Sequence, residues 1–314
     1  MTLVLSEKDA ESLIDMQEVV ASVEEAFRRQ GVGEANNWMR TRTSGESSVL
    51  NVMHANLAYL GRAGLKAYLS SKGGTRFAIL LFDTSDSTLL AVMGADFVGR
   101  FRTGAASGVA TKYLYDRKSG NLAVFGSGRQ ALTQVLAVKA VMSLEGVKVW
   151  SPSSPHREAF AQRLAAAGIE AEVSNSPVEA IEGAQVVSAI TSSKEPFITE
   201  RMVDSVSHVN LAGGNVPAHA EMNARAVGMF DTVVVDDISQ GKVEYGDLIQ
   251  AAKAGTFAWD SALDLGSVVA GKRMAKGRTL FKSGGAALED VAVASILYDK
   301  AMKSGRSYPS FELV

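Results

Sequence analysis

A strand-to-helix glycine turn at Gly126 is the feature that most restricts how this chain can fold. Apolar residues 122–125 lead into Gly126-Ser127-Gly128-Arg129-Gln130-Ala131, and an apolar stretch with helical spacing follows. In this G-x-G-x-x-A spacing the first glycine permits a tight turn, the second lets a pyrophosphate approach the backbone, and the small third residue lets helix pack on strand. Amides at the helix N-terminus would then face the phosphates. The turn predicts a dinucleotide site formed by Gly126, Ser127, Gly128, Arg129, Gln130 and Ala131.

Beyond residue 120 the chain alternates between short apolar runs and helical stretches. Helices are predicted, for example, at 130–144 and 157–167, and strands at residues 121–125, 147–150, 171–173, 186–190, 208–211 and 232–235. Such alternation predicts a parallel sheet covered by helices on both faces. Unbroken apolar runs such as 232–235 fit strands that are buried on both sides. The predicted fold class is therefore α/β, with a doubly wound Rossmann domain in the second half.

The first 120 residues have a different rhythm, which predicts a separate α+β domain. Ser6 is a predicted N-cap, and apolar residues then recur at helical spacing, so one helix is expected to end near Gly31. A helix rich in small residues is expected at 103–115. An antiparallel or mixed sheet is predicted from short apolar runs at 49–53, 64–69 and 77–82. Because 314 residues exceed the usual size of one hydrophobic core, two domains are expected.

The composition narrows the possible chemistry. The chain has no cysteine, which excludes disulfides, thiolate nucleophiles and cysteine-ligated metals. The 4 histidines show no i, i+4 pair, so no metal site is predicted. A formal net charge of −2 without a run of basic residues gives no reason to expect nucleic-acid binding. The sequence has neither a signal peptide nor an apolar stretch of about 18 residues, so a cytoplasmic protein without membrane contact is expected.

The residues after the second predicted strand bear on the choice of cofactor. An NAD site commonly has Asp or Glu about 20 residues past the glycines, where it binds the ribose diol. Residues 151–157 instead read Ser-Pro-Ser-Ser-Pro-His-Arg. Hydroxyls and a cation suit a 2′-phosphate better than a diol, so NADP is the preferred cofactor, NAD remains possible, and the predicted contacts are Ser151, Ser153 and Arg157. The alternative interpretation is a surface loop in which Arg157 only begins a helix.

Further motifs occur in a fixed order along the chain. Arg40 precedes Leu50-Asn51-Val52-Met53, and Gly64-Leu65-Lys66 forms a G-x-K strand. Arg102-Thr103-Gly104-Ala105-Ala106-Ser107 begins a helix, and Leu280-Phe281-Lys282-Ser283-Gly284-Gly285 leads to Glu289-Asp290. Together with the glycine turn, this series resembles the ornithine cyclodeaminase/mu-crystallin family over nearly the full length.

The resemblance implies a two-domain protomer that forms a homodimer. Residues 1–118, joined by a C-terminal helix at about 291–314, would be the substrate-binding and dimerisation domain, and residues 119–290 would be the Rossmann domain. Family members act on the Cα–N bond of small α-amino or α-imino acids. Their activities include ornithine cyclodeamination, alanine dehydrogenation and the reduction of cyclic ketimines such as 1-pyrroline-2-carboxylate. One branch is a vertebrate lens and thyroid-hormone-binding protein.

These reactions need a carboxylate clamp and a proton carrier. An arginine is the best clamp, because its planar fork donates two charge-assisted hydrogen bonds. Arg40 and Arg102 match the family's carboxylate-binding positions, with a surface ion pair as the alternative for each. Lys66 lies in an apolar run, where desolvation would lower its pKa and suit it to proton transfer. The resemblance implies that Lys66 lies at the substrate, and it makes Met53 a further substrate contact.

Asn215 is the informative departure from the family, whose cyclodeaminases and alanine dehydrogenases typically have aspartate here. Asparagine cannot act as a general base, although it can hydrogen-bond an imine or amine nitrogen. The sequence therefore favours an imine (ketimine) reductase in which Lys66 and Asn215 are the catalytic pair. The alternatives are an ornithine cyclodeaminase that recycles NAD, an alanine dehydrogenase-like enzyme, and a non-catalytic NADPH-binding protein.

Three more residues complete the expected site. His54 stands where many family members have proline, and it is either a substrate contact that donates a proton or a packed loop histidine. Thr103 and Thr191 are expected to contact the cofactor.

Overall fold

The structure, a computed structural model, describes residues 1–312. Its strands are Thr2–Leu5 (β1), Ala35–Asn37 (β2), Thr41–Ser44 (β3), Ser48–Leu57 (β4), Arg62–Ser71 (β5), Gly74–Asp83 (β6), Leu89–Gly94 (β7), Ser119–Phe125 (β8), Ser143–Trp150 (β9), Glu172–Val173 (β10), Val186–Ala189 (β11), His208–Leu211 (β12), Thr232–Val235 (β13), Leu263–Asp264 (β14), Thr279–Lys282 (β15) and Ser310–Phe311 (β16). Its α-helices are Glu7–Leu13 (α1), Met16–Val32 (α2), Asp96–Leu114 (α3), Ala131–Val141 (α4), Ser154–Ala166 (α5), Pro177–Ile181 (α6), Ala224–Val227 (α7), Ile238–Glu244 (α8), Gly246–Lys253 (α9), Leu265–Val269 (α10) and Ala287–Lys303 (α11). Short 3₁₀ turns occur at Ala58–Leu60 and Trp259–Ser261.

The chain divides into two compact units. Unit 1 comprises residues 1–102 together with the chain from Gly285 onward, and unit 2 comprises Thr103–Gly284. The first division falls inside α3, ahead of the predicted boundary at 118, and unit 2 ends six residues before the predicted boundary at 290. The roles of the two units in substrate binding and dimerisation stay predictions.

The C-terminal helix differs from its predicted range of about 291–314. Helix α11 begins at Ala287 and ends at Lys303, and the chain later forms strand β16 at Ser310–Phe311. The helix stops just before Gly305, which takes a left-handed φ of 68°. Residues 313 and 314, also in the predicted range, lie outside the described residues.

Unit 1 is built on a mixed sheet, as predicted. The strand order is β16-β1-β7-β6-β5-β4-β2, with β3 paired to β4. Strand β1 runs parallel to β7, and the pairs among β4, β5, β6 and β7 are antiparallel. Side chains alternate between the faces, so Met53, Lys66 and Ile79, which are direct cross-strand partners, share the buried face. Helix α11 packs against β4 and β5.

The helices of unit 1 differ from their predicted bounds for identifiable reasons. Ser6 is the N-cap of α1, as predicted, but the chain then breaks at Ile14, and Asp15 caps a second helix, α2. Helix α3 begins at Asp96 rather than near residue 103. The carboxylate of Glu7 accepts hydrogen bonds from the amides of Asp96 and Phe97, both at 2.8 Å, and so caps α3 from outside its own sequence.

Unit 2 has the predicted Rossmann architecture. Its sheet is parallel, with strand order β10-β9-β8-β11-β12-β15-β13-β14. The order reverses between β8 and β11, which is the switch point at which such sheets bind ligands beyond the carboxyl ends of their strands. Strand β15 lies in the middle of the sheet, although it was not among the predicted strands. Within residues 1–312, no helix has the length and apolar character needed to cross a bilayer.

Candidate active site

The glycine turn of unit 2 has the geometry that a dinucleotide requires. Gly126 has a φ of 110°, and a Cβ there would lie 2.4 Å from the carbonyl oxygen of Ile190, so only glycine fits. At Gly128 an added Cβ would meet no heavy atom within 4 Å. Ala131 is buried and begins α4. The loop therefore combines an obligatory turn, an open surface and a helix N-terminus, which fits the phosphates of a dinucleotide.

An arginine that the sequence did not single out supports this loop. Arg163, on α5, donates from Nη2 to the carbonyl oxygens of Ser127 at 2.6 Å and Gly128 at 3.4 Å. Carbonyl oxygens that point toward a guanidinium are turned away from an anionic ligand. Arg163 has no sequence signal of its own, because its spacing from the glycines depends on the β9–α5 connection.

The predicted 2′-phosphate contacts lie together after β9. The Ser151 hydroxyl is 2.8 Å from that of Ser127, and Ser153 is the N-cap residue of α5. Arg157 is buried within α5, and its Nη1 donates to the carbonyl oxygen of Ser151 at 2.8 Å. Arg157 therefore stabilises the loop from behind, while the side chain of Ser153 remains half-buried at its edge.

The other predicted cofactor contacts have different settings. Thr103 is buried at the start of the unit 2 segment, and its carbonyl oxygen accepts from Nε2 of Gln134 at 3.3 Å. The next residue, Gly104, must be glycine, because a Cβ would lie 2.3 Å from the carbonyl oxygen of Thr133. Gln130 precedes α4, and Arg129 is exposed on the glycine loop. Thr191 lies just past β11, at the carboxyl edge of the sheet.

Unit 1 contains a buried group of charges that we call the Lys66 cluster, comprising Lys66, Arg40, Arg102, Glu289 and Asp290. The Lys66 Nζ lies 2.7 Å from the Asp290 carboxylate, which also accepts from Arg102 Nε at 3.1 Å. Arg102 Nη1 donates to Glu289 at 2.9 Å. Both carboxylates belong to the first turn of α11, where the helix dipole favours negative charge.

The environment of Lys66 lowers the pKa of its ammonium group. The side chain is 2% exposed, and burial is the largest cause of a pKa of about 8, against an ordinary value of 10.5. The positive charges of Arg102 and Arg40 lower this pKa further, whereas Asp290 raises it. Lys66 can therefore exchange a proton near neutral pH, as a proton-transfer residue must.

Arg40 and Arg102 are both buried, as expected of a carboxylate clamp rather than of surface ion pairs. Arg40 donates from Nη2 to the carbonyl oxygen of Gly285 at 3.5 Å. Gly285 has a φ of 85°, and a Cβ there would lie 2.1 Å from Nη1 of Arg102, so the chain approaches the guanidinium closely. Met53 is fully buried and directly opposite Lys66.

His54 does not join this group. It lies in strand β4 rather than in a loop, and alternation along the strand puts it on the face opposite Met53 and Lys66. Its ring is exposed and stacks with that of Trp38 at a centroid distance of 6.4 Å. In unit 1, His54 therefore lies on the face away from Lys66, because a single-residue step along a strand reverses the face. Its contact with the substrate stays a prediction.

Unit 2 contains a second buried charge group, the Lys282 cluster, comprising Lys282, Asp247 and Glu221. Lys282 Nζ lies 2.8 Å from the Asp247 carboxylate and donates to the carbonyl oxygen of Gly213 at 2.6 Å. Asp247 accepts from the amides of Glu221 at 2.6 Å and Met222 at 2.9 Å. The cluster lies past the carboxyl ends of the central strands of the sheet.

Glu221 is the least expected member of the Lys282 cluster. One carboxylate oxygen accepts from the amide of Thr191 at 2.6 Å, and the other accepts from the amide of Gly213 at 3.0 Å. Asn215 follows Gly213 by two residues, in the loop after β12. Burial is the main cause that raises the pKa of Glu221 to about 7.

Each unit thus has its own chemical capability. Unit 1 joins a proton-exchanging lysine to two buried arginines, which suits an anionic substrate with a nitrogen to protonate. Unit 2 has a glycine turn suited to a dinucleotide. The sequence found the cations but left Asp290 and Lys282 without roles and did not single out Glu221 or Asp247. Among the described residues no group of three or more His, Asp or Glu side chains could hold a metal ion.

Comparison with known proteins agrees with both units. The model of the ornithine cyclodeaminase/mu-crystallin family matches residues 1–305. An alanine dehydrogenase of Archaeoglobus fulgidus is 31% identical over 313 residues, which cover 96% of this chain and 95% of the relative.

Two solved structures share the fold. The Δ1-pyrroline-2-carboxylate reductase of Thermococcus litoralis, in complex with NADH and L-proline, superposes with a TM-score of 0.90 at 32% identity, covering 97% of this chain and 98% of the other. An archaeal alanine dehydrogenase dimer with bound NAD superposes with a TM-score of 0.90 at 29% identity, covering 100% and 99%.

Proposed function

The chain belongs to the ornithine cyclodeaminase/mu-crystallin family, and from that premise we propose that it is an NAD(P)H-dependent reductase of α-imino acids, with 1-pyrroline-2-carboxylate as the type of substrate. The observation that carries the proposal is the Lys66 cluster, in which a buried lysine with a pKa of about 8 lies beside two buried arginines. A similar fold in a reductase that binds NADH and L-proline supports it.

Lys66 supplies the proton of the reaction. An imine accepts hydride readily only when its nitrogen is protonated, and a lysine with a pKa of about 8 is largely an ammonium at neutral pH yet releases its proton easily. A nicotinamide cofactor, when bound at the glycine turn, would supply the hydride for Cα. Asp290 holds the Lys66 ammonium at 2.7 Å and so orients the proton that Lys66 gives to the nitrogen.

Arg40 and Arg102 hold the α-carboxylate. Because Nε and Nη1 of Arg102 already bond Asp290 and Glu289, we propose that the two arginines share the substrate carboxylate rather than that one fork binds it alone. The close approach of Gly285 supports this assignment, since any side chain there would collide with Arg102. Fixing the carboxylate fixes Cα, which is the atom that accepts hydride.

Asn215 favours reduction over the other reactions of the family. Its amide can accept or donate a hydrogen bond at the substrate nitrogen, but it cannot remove a proton. Cyclodeamination must move protons on and off two nitrogens. Imine reduction requires only delivery of one proton and one hydride.

An assay panel tests this proposal. We expect purified protein to oxidise NADPH or NADH in step with added 1-pyrroline-2-carboxylate, without net ammonia release. Ornithine and alanine, each with oxidised cofactor, are the matched comparisons. Ammonia release from ornithine without net cofactor change would identify a cyclodeaminase instead. Faster turnover of alanine or pyruvate plus ammonia would identify an alanine dehydrogenase, and no turnover with any of them would favour a non-catalytic binding protein.

We further propose that NADPH is preferred over NADH. The chain has no carboxylate from Ser151 to Arg157 to bind a ribose diol, and the hydroxyl of Ser153 lies at the edge of the loop. In this proposal Ser151 and Ser153 contact the phosphate while Arg157 holds the Ser151 carbonyl. The ratio of kcat/KM for the two cofactors tests it. Ser153→Asp should shift the ratio toward NADH by about tenfold, because a carboxylate repels the 2′-phosphate, and a wild-type preference for NADH would refute it.

The outer face of the unit 1 sheet supports a homodimer. This face, opposite Lys66, bears a continuous set of apolar side chains: Leu50, Val52, Leu65, Ala67, Leu69, Ala78, Leu80 and Phe82. Leu50 and Leu69 are direct cross-strand partners that are 42% and 47% exposed. Exposed apolar patches of this kind are typical of interaction surfaces.

The dimer proposal predicts a change in mass. Light scattering should give twice the chain mass for the wild type, and Leu50→Glu with Leu69→Glu should give the monomer. A wild-type monomer would contradict the proposal. We also propose the cytoplasmic location expected from the sequence, and cell fractionation would test it.

A further inference from the structure

The loops that follow β11 and β12 are joined by one buried carboxylate. Glu221 is 1% exposed, and its two oxygens accept the amides of Thr191 and Gly213. The fit is tight, because a Cβ at Gly213 would lie 2.4 Å from a Glu221 carboxylate oxygen and 2.3 Å from the carbonyl oxygen of Thr191. One side chain therefore sets the spacing of the two loops.

The peptide groups around Gly213 are held from both sides. Glu221 accepts a hydrogen bond from the Gly213 amide, and Lys282 donates one to the Gly213 carbonyl oxygen. Asp247 binds Lys282 and the backbone amide of Glu221, so it fixes Lys282 and Glu221 relative to each other. Asn215 lies two positions after Gly213, in the loop at residues 212–217 that these bonds hold.

We infer that Glu221 is a positioning residue for the proposed reaction, which sets Thr191 and the Asn215 loop against the cofactor through its carboxylate. This inference rests on the proposed function, in which Thr191 contacts the cofactor and Asn215 contacts the substrate nitrogen. Glu221 itself touches neither. It acts through the two backbone amides, which only an ionised carboxylate can accept at both oxygens without presenting a proton to either.

Cofactor affinity should therefore depend on pH near neutrality. Burial raises the pKa of Glu221 to about 7, Lys282 lowers it, and Asp247 raises it. His219, two residues earlier on the same segment, packs on Gly214. As the pH falls through about 7, Glu221 gains a proton and one loop amide loses its acceptor, so the loops separate and binding weakens.

The stability of the fold should change in the opposite direction. The pKa of Glu221 is about 7 in the folded protein and 4.5 in its ordinary state, so the folded protein holds a proton that the unfolded chain has released. Between these values, this group makes the fold less stable as the pH rises. A loss of affinity on acidification thus cannot be attributed to unfolding caused by Glu221.

The test measures the Kd of NADPH and NADH by cofactor fluorescence from about pH 5.5 to about pH 8.5. We expect wild-type Kd to rise as the pH falls through about 7. Glu221→Gln should bind about tenfold more weakly at high pH and lose this dependence, because its amide offers one acceptor rather than two. Glu7→Gln is the matched control, since Glu7 also accepts two backbone amides, those of Asp96 and Phe97. It should keep the wild-type pH dependence.

Two results would overturn the inference: a wild-type Kd that does not change with pH in this range, or a Glu221→Gln profile that matches the wild type. If Glu221→Gln does not fold, hydrogen exchange of wild-type peptides covering Thr191 and Gly213 replaces it. Their protection should decrease below about pH 7 after correction for intrinsic rates, and unchanged protection would refute the role. Because no imine is needed, these outcomes are independent of whether the proposed reductase activity is found.

Discussion

Lys66 and Lys282 are both buried lysines bonded to a carboxylate, but they belong to clusters of opposite charge. As far as the described residues go, the Lys66 cluster combines three cations with two carboxylates, and the Lys282 cluster combines one cation with two carboxylates. The surplus positive charge among these residues of unit 1 suits the binding of an anionic ligand. The surplus negative charge in unit 2 is taken up by backbone amides.

This difference teaches that buried charge alone does not identify a reactive group. Burial is the main cause of the low pKa of Lys66, and two arginines beside it lower that pKa further. Lys282 instead bonds a carboxylate and a carbonyl oxygen that fix a loop. Lys66 is therefore suited to proton transfer, and Lys282 is suited to fixing the loop at Gly213. Substitution of each should therefore have a different main effect.

Lys66→Met should have the largest effect on activity. Removal of the proton donor is expected to lower kcat by about 10²–10⁴-fold. The Tm should change little, because Asp290 keeps its bond to Arg102. The assay is steady-state imine reduction, with NADPH binding measured by fluorescence as the control for an intact glycine turn. Turnover that stays within a few-fold of wild type would remove Lys66 from the mechanism.

Lys282→Met should affect mainly stability. It leaves Asp247 and Glu221 buried without their cation, and breaking a buried ion pair commonly costs about 3–5 kcal/mol. Chemical denaturation should show a lower free energy of unfolding than for Lys66→Met. If both variants lost the same free energy of unfolding, the proposed difference between the two clusters would be wrong.

Arg102→Lys should raise the KM for the imino acid by about tenfold, with a smaller change in kcat. A lysine cannot bond Glu289, Asp290 and a substrate carboxylate in the directions that the guanidinium provides. Initial-rate kinetics at saturating NADPH measure this effect. A KM equal to the wild type would show that Arg40 holds the carboxylate without Arg102.

Asp290→Asn should have the smallest effect, a displaced pH profile. Asp290 raises the pKa of Lys66, so its loss lowers that pKa further below its ordinary value. Activity that needs the Lys66 ammonium falls as the pH rises through about 8, and in the variant this fall should begin at lower pH. The pH dependence of kcat measures it, and a shift to higher pH would contradict the proton-donor role.

Much of unit 2 could be predicted from sequence because its signals are local. The turn at Gly126 lies between a strand and a helix, and three consecutive valines at 233–235 are buried because both faces of the sheet are covered. Strand β15 escaped prediction because Thr279–Lys282 ends in a lysine, and a charge argues against a central strand. Its burial depends on Asp247, which is distant in sequence.

The site of unit 1 could be predicted only in part. The family motifs identified Lys66, Arg40 and Arg102, but the carboxylates that surround them come from α11 at the other end of the chain. Two helix boundaries likewise depend on capping side chains. Asp15 begins a new helix, α2, within a continuous apolar pattern, and Glu7, which belongs to α1, caps the start of α3 at Asp96. The position of His54 on the outer face could not be predicted, because adjacent motif residues do not reveal which face of a strand a side chain occupies.

The bonds that hold the Gly213 peptide involve no atom of residue 215. The Gly213 amide bonds Glu221, and the Gly213 carbonyl oxygen bonds Lys282. A change of side chain at 215 therefore leaves both of these bonds in place. A scaffold built this way can gain or lose a general base beside the proposed substrate nitrogen in a single substitution. The position that determines the chemistry is then separate from the bonds that hold the loop.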